Sequence, residues 1–209
     1  MEKELPEDWL NIAKRINSIA ITGLSYCKDK YDIERYHELL DLSIHIFNKI
    51  TDIKTDKLQF VFNREIGYQT PKIGVRAVIF KDDKILLVKE KMDNKWSLPG
   101  GFADMGLTPS QSVIREVKEE AGYDVDIIRI LGIIDYNKHQ TRPFPFDVYQ
   151  LFIECKIIGG EAKVGLETCD IGFFSEDNLP ELSIRRVTLD QIMQMFEFNK
   201  NIIKEPIID

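Results

Sequence analysis

The chain has 209 residues, 44% of them hydrophobic and 30% charged, with a formal net charge of -7, a globular composition with room for one large domain or an ordinary domain and a small companion. The acidic balance argues against a protein built mainly to hold a nucleic-acid backbone, although a bound metal ion can invert the sign of a local acidic site and so admit a phosphorylated substrate. Cys27, Cys155 and Cys169 lie far apart with no C-x-x-C, which excludes a disulfide framework or zinc cluster and predicts reduced, mostly packed thiols.

The opening "MEKELPEDWL" is acidic and lacks an apolar core of the kind that signal peptides carry, and no run reaches the roughly 18 apolar residues of a membrane span. The expectation is a cytoplasmic protein with no membrane association. Residues 1–70 read as a small helical domain. Trp9, Ile12, Ala13, Ile16, Ile19 and Ala20 recur at helical spacing, with Gly23 as the stop; Ile33, Tyr36, Leu40, Ile44 and Phe47 mark a second helix, and "TDKLQFVFNREIG" a shorter third. Three short helices bury little apolar surface alone, so they are expected to build a homodimer and to wall part of a substrate site.

The pattern changes near Thr70-Pro71. "KIGVRAVIF" and "KILLVKEK" read as a hairpin turned by "KDDK". Further strands follow in "DVDIIRILGIIDY", "DVYQLFIECKII" and "IGFFS", and a last helix in "TLDQIMQMFEF", where Thr188 and Gln191 have capping-box spacing. Residues 71–209 therefore predict an α+β fold, a mixed sheet sandwiched between helices.

The chemistry concentrates in "LPGGFADMGLTPSQSVIREVKEEAGY", Leu98 to Tyr123. Thr108 can cap a helix, Pro109 suits its first position, Gln111 completes a capping box and Gly122 suits the stop. On that helix Val113, Ile114, Val117 and Ala121 share one face. Glu116, Glu119 and Glu120 share an adjacent one, about 5–6 Å apart. Three carboxylates so close repel one another unless a cation sits among them, and hard oxygen donors at this spacing suit Mg²⁺ or Mn²⁺. Gly100 and Gly101 free the backbone for close approach, and a carbonyl there can serve as another ligand.

The stretch resembles the Nudix box, G-x5-E-x7-R-E-U-x-E-E-x-G-U with U apolar. Gly101, Arg115, Glu116, Val117, Glu119, Glu120 and Gly122 match it, Tyr123 matches loosely, and Leu107 replaces the first glutamate. "YDIERYHEL", "TPKIGVRAVIF" and "WSLPGGFADMG" resemble a subgroup with a helical N-terminal extension, which contains CDP-choline and ADP-ribose pyrophosphatase-like enzymes and often departs from the box at the place of Leu107. The resemblance implies a Nudix-type α/β/α sandwich and a metal-dependent hydrolase. It would cut a nucleoside diphosphate linked to a group X into a nucleoside monophosphate and phospho-X. It implies Gly100, Glu116, Glu119 and Glu120 as the metal set, and Arg115, Glu116, Glu119, Glu120 and Glu167 as the catalytic set, with Arg115 holding the glutamates. Arg76, Phe102 and Asp104 are the expected substrate-binding residues, Arg76 through phosphate.

With the first box glutamate missing, Arg115 needs another acceptor, and Asp104 and Glu119 are the available ones. "NKHQTRPFPFDVY" is expected to form a rim that stacks a base or meets a partner chain, with His139 a surface histidine. Small nucleotides are the expected substrates, and RNA ends only a side substrate. The alternative is a Nudix-fold module that binds nucleotide without cleaving it. Leu107 favours that module, and the intact "REVKEE" favours the enzyme.

Overall fold

A computed structural model describes residues 7–140 and 144–209. Of these, residues 7–71 and 144–147 form one compact unit, and residues 72–140 and 148–209 a second. No helix among the described residues is long and apolar enough to cross a membrane.

The first unit is helical: α1 (Glu7–Tyr26), α2 (Lys30–Ile50) and α3 (Thr55–Phe62). α1 and α2 are slightly longer than the sequence suggested, α3 stops short of the predicted stretch, and the three bury a core of their own. Ala13, Ala20 and Ile21 of α1 meet Leu40, Ile44 and Phe47 of α2 and Leu58 and Phe62 of α3. The Phe62 ring lies 5.3 Å from Phe47 and 5.5 Å from Phe146, so part of the polar-aromatic segment predicted as a rim packs against the helical core; Thr141–Pro143 of that segment lie outside the described residues. Gly23 is not a stop. The helix passes through it, and a methyl group there would lie 2.3 Å from the Tyr36 ring, so glycine is what lets α1 and α2 approach. Of the apolar series read at helical spacing, Ala13 and Ala20 are buried, while Trp9, Ile12 and Ile19 are exposed.

The second unit holds β1 (Lys72–Lys81), β2 (Lys84–Glu90), β3 (Trp96–Ser97), α4 (Pro109–Ala121), β4 (Tyr123–Asp135), β5 (Val148–Gly160), β6 (Thr168–Phe174), α5 (Leu189–Asn199) and β7 (Ile207–Ile208), with a 3-10 turn over Tyr136–His139. The sheet runs β3-β2-β1-β5-β4-β7, with β6 on β2. β1 is parallel to β5 and antiparallel to β2, so the sheet is mixed. The β1–β2 turn carries Asp82 at φ 50° and Asp83 at φ 56°, the left-handed pair that a two-residue hairpin demands. The two-residue strands β3 and β7 are too short to leave a periodic signal in the sequence.

Side chains alternate between two buried faces, which is why β1 and β2 read as nearly continuous apolar runs. Val75, Ala77, Ile79, Leu86 and Val88 pack on Val113, Val117 and Ala121 of α4. Val78, Ile85 and Leu87 pack on Ile192, Met195 and Phe196 of α5. The result is a helix–sheet–helix sandwich. Of the cysteines, all free, only Cys155 is buried, and Cys169 is exposed, contrary to the expectation of mostly packed thiols. Burial pushes the Cys155 thiol up to about 12.

Candidate active site

The site grows from the edge of β1. Residues 99–103 run beside that strand as an added ribbon. Ala77 N donates to Pro99 O at 2.8 Å, Val75 N to Gly101 O at 2.9 Å, and Ala103 N to Ile73 O at 2.9 Å. This ribbon leaves no space for side chains at its glycines. Gly100 has φ +146° and a methyl group there would lie 2.0 Å from Val75 O, while one on Gly101 would lie 2.6 Å from Glu116 Oε1. The glycine pair thus lets the main chain lie between β1 and the carboxylates of α4.

α4 is fixed at both ends. Thr108 Oγ1 accepts from Gln111 N, Gln111 Oε1 accepts from Thr108 N, and Gly122 closes the helix at φ 80°. Its apolar face anchors in the sheet and turns Glu116 and Glu120 toward the glycine ribbon. Glu120 is buried, and its Oε2 accepts from Gly100 N at 2.8 Å. Burial pushes its carboxyl up to about 8, against the pull of the Gly100 N–H and Arg76, with Glu90 and Glu116 adding repulsion. Glu116 is also raised, by burial first and then by Glu119.

Arg115 answers the gap left by Leu107. Its Nη1 donates to Asp104 Oδ2 at 2.8 Å and its Nε to Glu119 Oε1 at 2.7 Å, so both acceptors named from the sequence are engaged at once. The Glu119 hydrogen bond leads in holding the guanidinium pKa above its ordinary value. Leu107 is half-buried, and its N–H closes a turn on Asp104 O at 3.2 Å. Asp104, expected at the substrate, is here a partner of Arg115.

Arg76 is buried in mid-strand. Its Nη1 donates to the carbonyls of Leu98, at 3.3 Å, and Gly100. The Gly100 oxygen expected on a metal accepts from this guanidinium with one lone pair, which leaves the other for a further contact. Burial lowers the Arg76 pKa, with Glu120 and Glu90 opposing. Phe102 is exposed beside the ribbon. Glu167 is exposed at the entry to β6, its carbonyl accepting from Lys91 N at 2.9 Å, and its charge bears on both Glu116 and Glu90. His139, half-buried, sits away from this cluster on Asp209, Nε2 to Oδ2 at 2.9 Å.

Sequence reading missed Glu90 and Arg186. Glu90, at the end of β2, is 2% exposed, and its Oε1 lies 3.0 Å from Arg186 Nε. A carboxylate closing a strand whose centre is the apolar run Ile85–Val88 was the available signal for Glu90; nothing local marks Arg186.

Among the described residues, no three His, Cys, Asp or Glu side chains form a ready metal cage. The donors nevertheless fit a hard divalent cation in kind, being carboxylates and a carbonyl. Glu116 and Glu120 are desolvated beside further negative charge, a deficit that such an ion relieves.

Residues 7–62 match the model of a UDP-X-like N-terminal oligomerisation domain, and residues 70–204 that of the NUDIX domain. The chain is 42% identical over 201 residues to Bacillus subtilis (strain 168) YjhB, provisionally named an ADP-ribose pyrophosphatase, covering 96% of this chain and 97% of that protein. It is 37% identical to a Methanocaldococcus jannaschii ADP-ribose pyrophosphatase, covering 56% of this chain and 69% of the other. A crystal structure of an ADP-ribose pyrophosphatase from Streptococcus suis matches with TM-score 0.61 and 42% identity, over 67% of this chain and all (100%) of that one. A crystal structure of a UDP-X diphosphatase matches with TM-score 0.64 and 31% identity, over 97% and 98% of the two chains. With the domain model spanning the glycine ribbon, α4 and both faces of the sheet, the chain belongs to the Nudix hydrolase family.

Proposed function

We propose that the chain is a divalent-metal-dependent pyrophosphatase that cleaves a nucleoside diphosphate linked to a second group X, of the ADP-ribose or UDP-X kind, into a nucleoside monophosphate and phospho-X. The observation that carries this reading is the pair Glu116 and Glu120, held by a doubly capped helix against a glycine ribbon too tight for side chains. The names of the full-length relatives support the substrate class.

Glu116 and Glu120, with Glu119 and the Gly100 carbonyl, would hold Mg²⁺ or Mn²⁺. An ion bound there supplies polarisation of the phosphoryl oxygens and an acidified water. The chain's own residues do the rest. Arg115, tied to Asp104 and Glu119, fixes the polar face of α4. Arg76 brings positive charge to the same place from β1 and counters the charge of the phosphates. Glu167 stands at the entry to β6, where its carboxylate can take the proton of the attacking water. Phe102, exposed on the ribbon, offers a ring to the base or to X.

The deciding experiment is a substrate panel of ADP-ribose, UDP-linked sugars, CDP-choline and short RNA, with Mg²⁺, Mn²⁺ or EDTA, products being read by mass. Cleavage of a diphosphate bond in the small nucleotides is expected, lost in EDTA and lowered about 100-fold or more in Glu120→Gln, as expected for a lost metal-organising charge. Full turnover in EDTA overturns metal dependence, and no cleavage of any nucleotide overturns the substrate class. We further propose that the helical unit pairs two copies of the chain. The exposed apolar residues of α1 and the oligomerisation-domain match support this.

A further inference from the structure

An ion pair between buried Glu90 and half-buried Arg186 plays no part in the chemistry above. Glu90 and Arg186 meet at 3.0 Å, and Arg186 is pinned from its other side. Its Nη1 donates to Ser183 Oγ at 3.1 Å and lies 3.6 Å from Asp93 Oδ2. Ser183 in turn donates to Asp93 Oδ2 at 2.6 Å, and its N–H donates to Trp96 O at 2.7 Å. The guanidinium is therefore oriented by the end of β2, the following turn and the loop before α5. That is more constraint than an ion pair alone requires.

The constraint leaves part of each fork unused. Arg186 spends Nε on Glu90 and Nη1 on Ser183, and Arg76 spends Nη1 on two carbonyls. Neither Nη2 donates a hydrogen bond to the described residues. Arg76 is itself buried, but none of its nitrogens is a buried atom without a partner, so the unused donors stay within reach of solvent and of a ligand. Both guanidinium groups are anchored on the same stretch of main chain, Arg186 through Ser183, whose N–H donates to Trp96 O, and Arg76 directly through Leu98 O two residues on. Like charges brought together on a rigid scaffold, with planar donors to spare, are the arrangement that binds phosphoryl oxygens in two-pronged contacts. The Tyr136 hydroxyl donates to Arg185 O at 2.8 Å.

We propose that Arg186, together with Arg76, forms a second phosphate subsite, which takes the phosphoryl group that the carboxylate side does not hold, and that Glu90, Asp93 and Ser183 orient Arg186 for it. This rests on the diphosphate reading given above. It makes the site two-sided: carboxylates for a metal-bound phosphate and guanidinium forks for its neighbour. A substrate with two linked phosphoryl groups spans both sides, and a single phosphate satisfies one.

The test titrates inorganic pyrophosphate into the full-length protein with Mg²⁺ present, by calorimetry, for wild type, Arg186→Gln, Glu90→Gln and the double variant. Arg186→Gln is expected to weaken pyrophosphate binding about 10-fold or more, the loss of a charge-assisted contact, while Mg²⁺ affinity without pyrophosphate stays within about 3-fold. Glu90→Gln keeps an oxygen acceptor for Arg186 and removes a negative charge, so it should bind pyrophosphate at least as tightly as wild type. A pair that serves only the fold predicts that both single variants weaken binding alike, and that result overturns the proposal, as does unchanged binding in Arg186→Gln. If Arg186→Gln fails to fold because Glu90 is left buried and unpaired, the double variant, which removes both charges, carries the comparison, with the same 10-fold loss expected. Hydrolysis of the nucleotide panel by wild type separates the two readings. A protein that binds pyrophosphate through Arg186 but cleaves no nucleotide sinks the substrate class and leaves the subsite. One that cleaves the panel while Arg186→Gln binds pyrophosphate normally sinks the subsite alone.

Discussion

Leu107 stands where the family pattern carries a glutamate, and the Asp104–Arg115–Glu119 triplet answers for it. The guanidinium bridges a loop carboxylate at 2.8 Å and a helix carboxylate at 2.7 Å. All three side chains are about half exposed or more, so the bridges add little to stability. Their value is orientation, because Glu119 lies one turn from Glu116 and beside Glu120. Asp104→Ala should therefore lower kcat by roughly 10-fold or more with little change in KM, as lost support of a metal ligand does. Adding Leu107→Glu in that background should restore most of it by returning a carboxylate to the loop. Leu107→Ala alone should cost less than about 10-fold. A steady-state comparison of the four proteins on one substrate checks this. If Asp104 instead touches substrate, Asp104→Ala raises KM and Leu107→Glu rescues nothing. The acceptors of Arg115 were legible because they lie within a loop and a helix turn of it. The partners of Arg76 and Arg186 were not. Leu98, Gly100 and Glu90 come to those residues only through strand pairing and packing across many positions.

α4 shows how a local signal builds a site that tertiary contacts then complete. Its capping box and left-handed stop were written in "TPSQ" and Gly122, and both formed. What the sequence could not write is the distance from Gly101 to Glu116, set by how the helix seats on Val75, Ala77 and Val88. The two kinds of contact predict different losses. Thr108→Ala removes a cap, so it should cost about 1 kcal/mol of stability and leave kcat nearly unchanged. Gly101→Ala places a methyl 2.6 Å from Glu116 Oε1, and that carboxylate must move. It should cut turnover by about 10-fold to 100-fold, the scale of an ångström-size misplacement, with a smaller loss of melting temperature than Gly100→Ala, whose methyl would meet main chain 2.0 Å away. Denaturation midpoints and kcat measured on the three variants decide it. Equal kcat losses in Thr108→Ala and Gly101→Ala would show that the helix, not the ribbon, controls the carboxylate. Gly23 carries the same lesson in the helical unit. Read locally, a glycine after an apolar run ends a helix, but the Tyr36 ring gave it another purpose.

At the scale of the whole molecule, α1 is apolar over more of its circumference than its own unit covers. Ala13, Ala20 and Ile21 face the helical core, while Trp9, Ile12, Ile19 and Tyr26 are 44%, 36%, 42% and 67% exposed. The exposed four, spaced three and seven residues apart, form one stripe along the helix. A stripe of this length is rarely left to water on a single chain. A second copy offers the same stripe, and two-fold pairing of identical helices is the simplest closed way to cover both. The sequence showed the apolar periodicity but merged the covered and uncovered faces into one, because periodicity records which residues are apolar and not what each of them meets. Trp9→Glu combined with Ile19→Glu puts two charges on each copy of the stripe, where they would face like charges in a dimer. Light scattering at about 10 µM, well above the Kd of a stable dimer, should give twice the 24.3 kDa chain mass for wild type and a single chain mass for the double variant. The variant should keep its helical circular dichroism, since neither residue belongs to the helical core. A wild type that runs as one chain removes the pairing proposal. A double variant that still runs as two keeps the dimer and moves its interface off α1.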